Sequence, residues 1–424
     1  MNLNLKKHPK NRTSAIPSSF EGFMAPFTVK WGILATGGIA QTFTKDLLTN
    51  PATREVTDIK HVVAAVASSS SVSRAEDFLK DAQVPDGAKA YGSYAELVAD
   101  PDVDIIYVAT PHSHHFQNAM LALEAGKNVL CEKAFTVNAA QAKKLVETAK
   151  EKKLFLMEAV WTRYFPLSIK VREVVTSGTI GKVHRVSADL SLGEVNDDGS
   201  LTFPDKNRMV NMDLAGGALL DLGIYSLTWV FQILYHCQEK PREAPKVLAA
   251  ISKYEKTGAD DLTTMLLQFE KNHSVGIATT SMRVATNPEG HGAIDSCPAV
   301  RIQGTKGEVQ VFGPIYRPVR YQVITKGTSE GKTEVVHCPI PTDKERPGQD
   351  GKTSEGWGHG MFWEADEAGR CLRDGKLQSE GMSWEESLVI METMDEVRKQ
   401  GGLEYSDLIE SADYDAKSSL NGKA

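Results

Sequence analysis

Two short segments of this 424-residue chain carry the residue types that acid–base chemistry needs. Glu132 and Lys133 close an apolar run, and Asp221 and Tyr225 lie four residues apart in another, a spacing that puts two side chains on one helix face. Oxidation of an alcohol needs a base for the hydroxyl proton while a hydride leaves. A tyrosine has an unperturbed pKa of about 10, so it needs a nearby cation that favours the phenolate. We therefore expect Lys133 to lower the pKa of Tyr225, and Asp221 to orient the lysine or a substrate hydroxyl. The alternatives are a surface lysine, a core tyrosine and a helix-capping aspartate.

A glycine turn near the N-terminus has the context of a dinucleotide-binding fingerprint. Gly37, Gly38 and Ile39 follow the apolar strand Val29–Ala35 and open a helix. Glycine lets the backbone approach a pyrophosphate, and the first N–H groups of the helix can bind it. Ala35 replaces the first glycine of the usual pattern, so a plain strand–turn–helix unit remains an alternative.

The residues after the second strand indicate which dinucleotide would bind. NAD-specific domains carry an acid there for the ribose 2′-hydroxyl. Here the serine run Ser68, Ser69, Ser70 and Ser71 comes first, Arg74 follows, and no acid lies between the strand and Glu76. Hydroxyl donors with an arginine suit a 2′-phosphate, so NADP is the predicted cofactor. A helix-capping serine cluster with a solvated arginine is the alternative.

These segments lie at the ends of alternating strands and helices, which predicts an α/β fold. Residues 28–153 are predicted to form an NADP-binding Rossmann domain with a doubly wound parallel sheet. Residues 154–405 read as successive strands with little helix, which predicts an α+β substrate and dimerisation domain with a large, mostly antiparallel open sheet. Residues 1–27 are expected to form a disordered N-terminal tail, and Met24 could be the true start of the protein. Residues 406–424 are expected to form a flexible C-terminal tail.

Two sequence patterns predict helix starts in the two domains. Asn138-x-x-Gln141 and Ser383-x-x-Glu386 have the spacing of capping boxes. The second pattern opens a helix over residues 384–400, which we expect to pack back on the first domain.

Composition excludes several classes of function. A net charge of −7 disfavours nucleic acid, and no stretch approaches the roughly 18 apolar residues of a membrane helix. Five widely spaced cysteines predict free thiols in a reducing compartment, and hence a cytoplasmic protein. His112, His114 and His115 are close in sequence, but no carboxylate or thiol accompanies them, so no metal is predicted.

Three longer motifs are specific in sequence. The first is Ala125-Gly126-Lys127-Asn128-Val129-Leu130-Cys131-Glu132-Lys133, after a strand ending in Thr-Pro, and the others are Met157–Pro166 and Gly216–Tyr225. Together they resemble the Gfo/Idh/MocA oxidoreductases, particularly the branch with dimeric dihydrodiol dehydrogenases and fungal NADP-dependent D-xylose dehydrogenases. The resemblance covers roughly Thr28 to Tyr405.

The resemblance implies roles for individual residues. Lys133 matches the family's catalytic lysine, although Ala134 replaces the proline that follows it, and Tyr225 matches the family's tyrosine. Trp161 and Arg163 are expected to face the nicotinamide and substrate, with Phe165 as a wall, although Trp161 could be a plain core residue. The resemblance also implies a homodimer through the second sheet. Further cofactor contacts are expected from Thr110, His112, His115 and Glu132.

The function that follows is hydride transfer from a small polyol or sugar to NADP. The preferred reaction oxidises the anomeric hydroxyl of D-xylose to the lactone, with Tyr225 as base. Oxidation of a trans-dihydrodiol to a catechol is the first alternative. A non-catalytic, dinucleotide-binding regulator of a sugar pathway is the second, and the retention of Glu132, Lys133, Asp221 and Tyr225 argues against it.

Overall fold

A computed structural model describes residues 25–288, 297–327, 331–348 and 355–422, and it contains two sheets with helices packed on them. The N-terminal tail up to residue 24, including the possible start at Met24, lies outside the described residues.

In the described part of the chain, the first sheet has six parallel strands in the order β3-β2-β1-β4-β5-β6. The order reverses between β1 and β4, which is where ligands bind in open α/β sheets. The sheet extends past the domain boundary expected at residue 153, because Val129 pairs with Leu156 in parallel. The strands are β1 (Phe27–Leu34), β2 (Ile59–Ala67), β3 (Lys89–Tyr91), β4 (Ile105–Val108), β5 (Asn128–Glu132) and β6 (Leu156–Ala159).

Five helices connect these strands, and side chains cap three of them. The Ser71 and Asn138 side chains accept from the N–H groups of Arg74 and Gln141, and Ser93 forms a complete capping box. The predicted box at Asn138 is only half present, because the Gln141 carboxamide oxygen accepts from Val137 instead. The helices are α1 (Gly38–Leu47), α2 (Val72–Asp81), α3 (Tyr94–Ala99), α4 (His112–Glu124) and α5 (Ala139–Lys152).

The second sheet has eight described strands in the order β14-β13-β12-β11-β7-β10-β9-β8. All neighbours are antiparallel except β7 and β10, so the predicted, mostly antiparallel sheet is confirmed. The edge strand β14 was not predicted, since its side chains are almost all exposed and show no apolar alternation. The strands are β7 (Val183–Ser191), β8 (Lys246–Lys253), β9 (Asp260–Phe269), β10 (Ser274–Ser281), β11 (Pro298–Gly304), β12 (Gly307–Phe312), β13 (Arg320–Thr325) and β14 (Lys332–His337).

One face of this sheet is covered by an apolar helix, and the other is open. Helix α6 (Pro166–Thr176) precedes the sheet, and α7 (Ile224–Leu234) packs on β7 and β10 after a π-helical turn at Leu219–Gly223. Among the described helices, the stretch Met212–Leu234 is long and apolar enough to span a membrane, but 94% of its most apolar window is buried inside the protein. Its apolar character is therefore that of a core helix.

The C-terminal helices return to the first domain. Helix α8 (Phe362–Arg373) contacts α1, β1 and β2, and α9 (Trp384–Gly401) lies between α5 and β8. The predicted capping box of α9 is incomplete, because Ser383 accepts from the Glu386 N–H but the Glu386 carboxylate binds Arg163 and His236.

The expectation of a flexible tail from residue 406 is wrong for residues 406–422. They include α10 (Asp407–Glu410) and a 3-10 turn at Ser419–Asn421, and they pack against α4. Ile409, Leu420 and Asn421 are buried. These few apolar contacts, together with hydrogen bonds to α4 and α5, hold a segment whose polar sequence favours disorder.

Candidate functional site

A cavity of about 540 Å³ lies at the carboxyl ends of β1, β4 and β5, next to the second domain. It occupies the point where the strand order of the first sheet reverses, the usual ligand site of such folds. Most of the residues predicted for the site line it: Gly37, Gly38, Ile39, Thr110, His112, Glu132, Lys133, Trp161, Asp221 and Tyr225.

Lys133 and Asp221 form an ion pair on one wall of this cavity. The Lys133 Nζ atom is 2.6 Å from Asp221 Oδ1 and 2.8 Å from the Asp221 carbonyl oxygen. The other carboxylate oxygen accepts from Arg208 Nη1 at 2.8 Å. Burial raises the pKa of Asp221, but the charges of Lys133 and Arg208 outweigh that effect and hold it well below its usual value. Asp221 is therefore a carboxylate that fixes both cations.

Tyr225 lies beside this pair with its hydroxyl oriented by an indole. Trp161 Nε1 donates to Tyr225 Oη at 2.7 Å, and the Lys133 Nζ atom is 5.0 Å from the centroid of the tyrosine ring. The expectation that Lys133 lowers the pKa of Tyr225 is not met in this arrangement. Burial, and then the negative charge of Glu132, raise that pKa well above 10. The resting side chain is a neutral phenol.

Glu132 connects the lysine to the first sheet. Its carboxylate accepts from the Tyr107 hydroxyl and, at 3.1 Å, from the Lys133 N–H. Burial is the main cause that raises the pKa of Glu132. The side chain supports the loop that presents Lys133.

Aromatic side chains form another part of the cavity wall. The Trp161 ring is stacked on His359, with 5.0 Å between centroids and 10° between planes, and on Tyr316 at 6.0 Å. Burial lowers the pKa of His359 to about 4, so this wall is uncharged at neutral pH. Apolar ring faces of this kind bind the C–H surface of a small ring-shaped substrate well.

A second cavity of about 380 Å³ continues from the first and shares Gly37, Thr110 and Pro111 with it. Ser68, Ser69 and Arg74 line it, as the prediction of a 2′-phosphate site requires. A Cβ atom added at Gly37 or Gly38 would meet no atom within 4 Å, so the turn leaves room for a pyrophosphate. The residues present therefore fit an extended dinucleotide, with its nicotinamide end near Lys133 and its adenosine end near Arg74.

Ala35 occupies the position of the missing first glycine, with a φ of 93°. This is the left-handed region that an alanine adopts only at a cost. The turn thus keeps the backbone path of the usual fingerprint without its usual residue.

Arg163, Phe165 and His115 were predicted for the site but lie behind the cavities. Arg163 is fully buried, and its Nη1 atom donates to Glu386 at 2.7 Å. Trp161 and Arg163 lie two residues apart in the 3-10 turn Trp161–Tyr164, which has three residues per turn, so their side chains lie on different faces of it. Trp161 therefore reaches the cavity and Arg163 does not. Phe165 packs against Trp161 and Trp363 as a buried support.

His115 is also a support rather than part of the lining. It lies one helical turn beyond His112, and its ring nitrogens are 2.8 Å from the Ala134 oxygen and 2.9 Å from the Thr110 oxygen. Burial lowers the pKa of His115 to about 4, and the neutral ring can donate to only one of these carbonyls. The ring therefore bridges the loops that follow β4 and β5.

Several lining residues were missed by the sequence analysis. Arg208, Tyr316 and His359 line the first cavity, and Tyr94 and His114 line the second. Arg208, Tyr316 and His359 lie in loops with no periodic pattern and far from Lys133 in sequence. His114 is half-buried in the wall of the second cavity.

Together, the parallel sheet, the glycine turn and the lysine-centred cavity define a two-domain, dinucleotide-dependent oxidoreductase. A model of the oxidoreductase family with an NAD-binding Rossmann fold, Gfo/Idh/MocA, matches residues 29–160, and the model of the family's C-terminal domain matches residues 168–310. The chain belongs to the Gfo/Idh/MocA family.

Two curated relatives are similar along nearly their whole length. The NADP(+) D-xylose 1-dehydrogenase of Hypocrea jecorina is 62% identical over 398 residues, which is 93% of this chain and 98% of that protein. The human trans-1,2-dihydrobenzene-1,2-diol dehydrogenase is 34% identical, over 89% of this chain and 98% of that protein.

Solved structures share the fold at lower identity. A levoglucosan dehydrogenase in complex with NADH and levoglucosan has a TM-score of 0.71 at 17% identity, covering 88% of this chain and 97% of its own. The 3-ketoreductase KijD10 of Actinomadura kijaniata, with NADP and TDP-benzene, has a TM-score of 0.67 at 21% identity, covering 88% and 98%. These two similarities establish the two-domain fold.

Proposed function

We propose that this protein is an NADP-dependent dehydrogenase that oxidises the anomeric hydroxyl of D-xylose to D-xylonolactone. The observation that carries the proposal is the convergence of Lys133, Asp221 and Tyr225 on one wall of the cavity beside the glycine turn. The 62% identity to the H. jecorina D-xylose dehydrogenase supports the substrate and the cofactor.

The protein's own side chains accept the hydroxyl proton that this reaction releases. NADP, held by the turn at Gly37 and by Ser69 and Arg74, would supply the acceptor for the hydride of the anomeric carbon. The hydroxyl proton passes to Tyr225, whose oxygen is held by Trp161. The phenolate must form before the proton is accepted, and the Lys133 ammonium, 5.0 Å from the ring centroid, would offset part of the cost that burial and Glu132 impose on it. Asp221 holds the ammonium in place.

The polarity of the cavity favours a sugar over a dihydrodiol. The Arg208 guanidinium is largely exposed and reaches Asp221 from the open side of the cavity, so its remaining N–H groups can bind sugar hydroxyls. His112 donates through Nδ1 to the Ala215 carbonyl, 3.3 Å away, which leaves Nε2 as an acceptor. A benzene dihydrodiol has two hydroxyls and would leave more of these groups unpaired, which is costly.

The direct experiment measures reduction of NADP, and in parallel of NAD, by absorbance. The panel is D-xylose, D-glucose, L-arabinose and trans-benzene dihydrodiol. We expect kcat/KM to be highest for D-xylose with NADP, and the preference for NADP over NAD tests the roles of Ser68, Ser69 and Arg74.

The alternatives predict different results. A higher kcat/KM for the dihydrodiol than for D-xylose would show that the dihydrodiol is the substrate, and the protein would still be an oxidoreductase. Cofactor binding without turnover of any panel member would favour the non-catalytic regulator.

We also propose a homodimer formed by the open face of the second sheet. Cross-strand neighbours place Leu248, Leu266 and Ile277 in one row on β8, β9 and β10. Leu248 is 68% exposed and Leu266 42%, and such apolar groups on an open sheet are typical of an interface between protein chains.

We also propose that the protein is located in the cytoplasm. The five cysteines are free thiols, which suits a reducing compartment. Retention of the protein in the cytosolic fraction of fractionated cells would support this location.

A further inference from the structure

The C-terminal segment Ser418–Gly422, termed here the terminal strap, lies in the wall of the second cavity. Ser419, Leu420 and Gly422 line this cavity together with Ser69 and Arg74. The two groups of residues come from opposite ends of the chain. The strap is outside the sheet and helices of the first domain, so the Rossmann fold by itself does not require it.

The strap is held in place by buried polar contacts with α4. The fully buried Asn118 side chain donates to the Leu420 carbonyl at 2.9 Å and to the Asn421 side chain at 3.0 Å. The Asn421 amide donates in turn to the Asp415 carbonyl. Since unsatisfied buried amides are costly, these bonds fix the strap relative to α4. Helix α4 begins with His112 in the cofactor cavity, so the strap and the cavity are fixed to one rigid element.

Gly422 lies against Ser69 in the wall of the second cavity. Its φ is 75°, and a Cβ atom at this position would lie 2.8 Å from the Ser69 Cβ atom. That separation is too short for a non-bonded contact between two carbon atoms, and the backbone conformation is one that other residues rarely adopt. The chain can therefore reach Ser69 only because this residue is a glycine.

We propose that the terminal strap is part of the cofactor site and closes over the 2′-phosphate end of NADP. The inference rests on the proposed use of NADP but not on the identity of the sugar. Ser69 and Arg74 hold the phosphate from the first domain, and the strap covers it, with the Ser419 hydroxyl available as a further donor. The strap thus makes the far C-terminus a determinant of cofactor affinity and of the choice between NADP and NAD.

The test titrates NADPH and NADH into the full-length protein and its variants and follows nicotinamide fluorescence. Two variants displace the strap: Gly422→Ala, and a chain that ends at Ser418. We expect the Kd for NADPH to rise about fivefold or more in both, the loss of roughly one hydrogen bond. The Kd for NADH should change less than twofold.

Two controls separate the strap from general effects. A chain that ends at Gly422 keeps the strap and should bind NADPH as the full chain does. Gly178→Ala introduces an alanine at another positive φ, 73°, where no atom lies within 4 Å of the new Cβ atom. It should leave the Kd for NADPH unchanged.

A second measurement uses the unmodified protein and so does not depend on the folding of any variant. Carboxypeptidase digestion of the unmodified protein, followed by mass spectrometry, should release the last residues more slowly when NADPH is present than when NADH is present at equal saturation. An unchanged Kd for NADPH in both strap variants, an equal loss for NADH, or digestion that NADPH does not slow would each overturn the proposal. Normal NADPH binding without sugar turnover in the unmodified protein would instead contradict only the proposed substrate.

Discussion

Lys133 is the cation next to both Asp221 and Tyr225, so we expect turnover to depend on it directly. Replacement of Lys133 by Ala removes the cation that pairs with Asp221 and lies over Tyr225. We expect kcat for D-xylose to fall by about 10²–10⁴, the usual size of an acid–base contribution. The Kd for NADPH, measured by fluorescence, should change little. Lys144→Ala, on the exposed side of α5, serves as the control. Full turnover in Lys133→Ala would refute the mechanism.

The state of Tyr225 predicts how the rate depends on pH. The pKa of this tyrosine lies well above 10, so the phenolate that accepts the proton is a minor species at neutral pH. As the pH rises, this species becomes more abundant, and kcat/KM for D-xylose should increase up to at least pH 9.5. Tyr225→Phe should be nearly inactive without this increase, whereas Tyr164→Phe, at a buried tyrosine outside the cavity, should keep the profile. A profile that is flat from pH 7 to 9.5 would exclude Tyr225 as the base.

Ala35 shows how a strained residue at the glycine turn affects stability. With φ at 93°, Ala35→Gly should relieve about 1–2 kcal/mol of strain and lose about half of that to the greater freedom of glycine in the unfolded chain. The net expected gain in free energy of unfolding is up to about 1 kcal/mol. Urea denaturation measures it. The matched control Ala40→Gly, inside α1, should be destabilising by a similar amount. A loss of stability in Ala35→Gly would contradict the strain.

At the scale of secondary-structure elements, the Arg163–Glu386 pair joins the turn after β6 to the start of α9. Both side chains are fully buried, and the guanidinium also donates to the Gly381 carbonyl at 2.8 Å. Removal of Arg163 leaves the buried Glu386 carboxylate with His236 as its remaining partner, so Arg163→Ala should lower the free energy of unfolding by about 3 kcal/mol.

The exposed ion pairs of Arg373 supply the control for this prediction. Arg373→Ala should cost less than about 1 kcal/mol, because solvent screens its partners. Thermal and urea denaturation compare the two variants. A stable Arg163→Ala variant with a weakened affinity for NADPH would restore the expected role of Arg163 at the cofactor.

At the scale of the whole molecule, the open sheet face predicts the oligomeric state. Leu266 lies in the apolar row of β9, so Leu266→Glu places a charge in the proposed interface and should convert the dimer to a monomer. Light scattering after size-exclusion chromatography measures this. Leu408→Glu, at a residue that is 55% exposed on α10, should leave the dimer intact. A monomeric unmodified protein, or a dimer that Leu266→Glu does not affect, would contradict the interface.

The amino-acid sequence by itself determined the parts of this protein that depend on local patterns. Apolar runs that end at polar or glycine-rich turns set the strands of the first sheet, and this architecture brings their carboxyl ends together. Gly37 and Lys133, which follow β1 and β5, could therefore be predicted as neighbours. Asp221 and Tyr225 lie in the second domain, and the family resemblance implied their place beside Lys133. The same logic predicted the second sheet but not β14, whose exposed side chains carry no periodic signal.

Only the tertiary structure decided which side chains reach the cavity and how they are charged. Arg163 and Trp161 lie in the same motif, but the direction of each follows from a 3-10 turn and from Glu386, 223 residues away from Arg163. Arg208, Tyr316 and His359 arrive from distant loops. The pKa of Tyr225 depends on burial and on Glu132 more than on the neighbouring lysine. The position of the terminal strap depends on buried hydrogen bonds to α4. Each of these results from contacts between residues far apart in the chain, which local patterns do not encode.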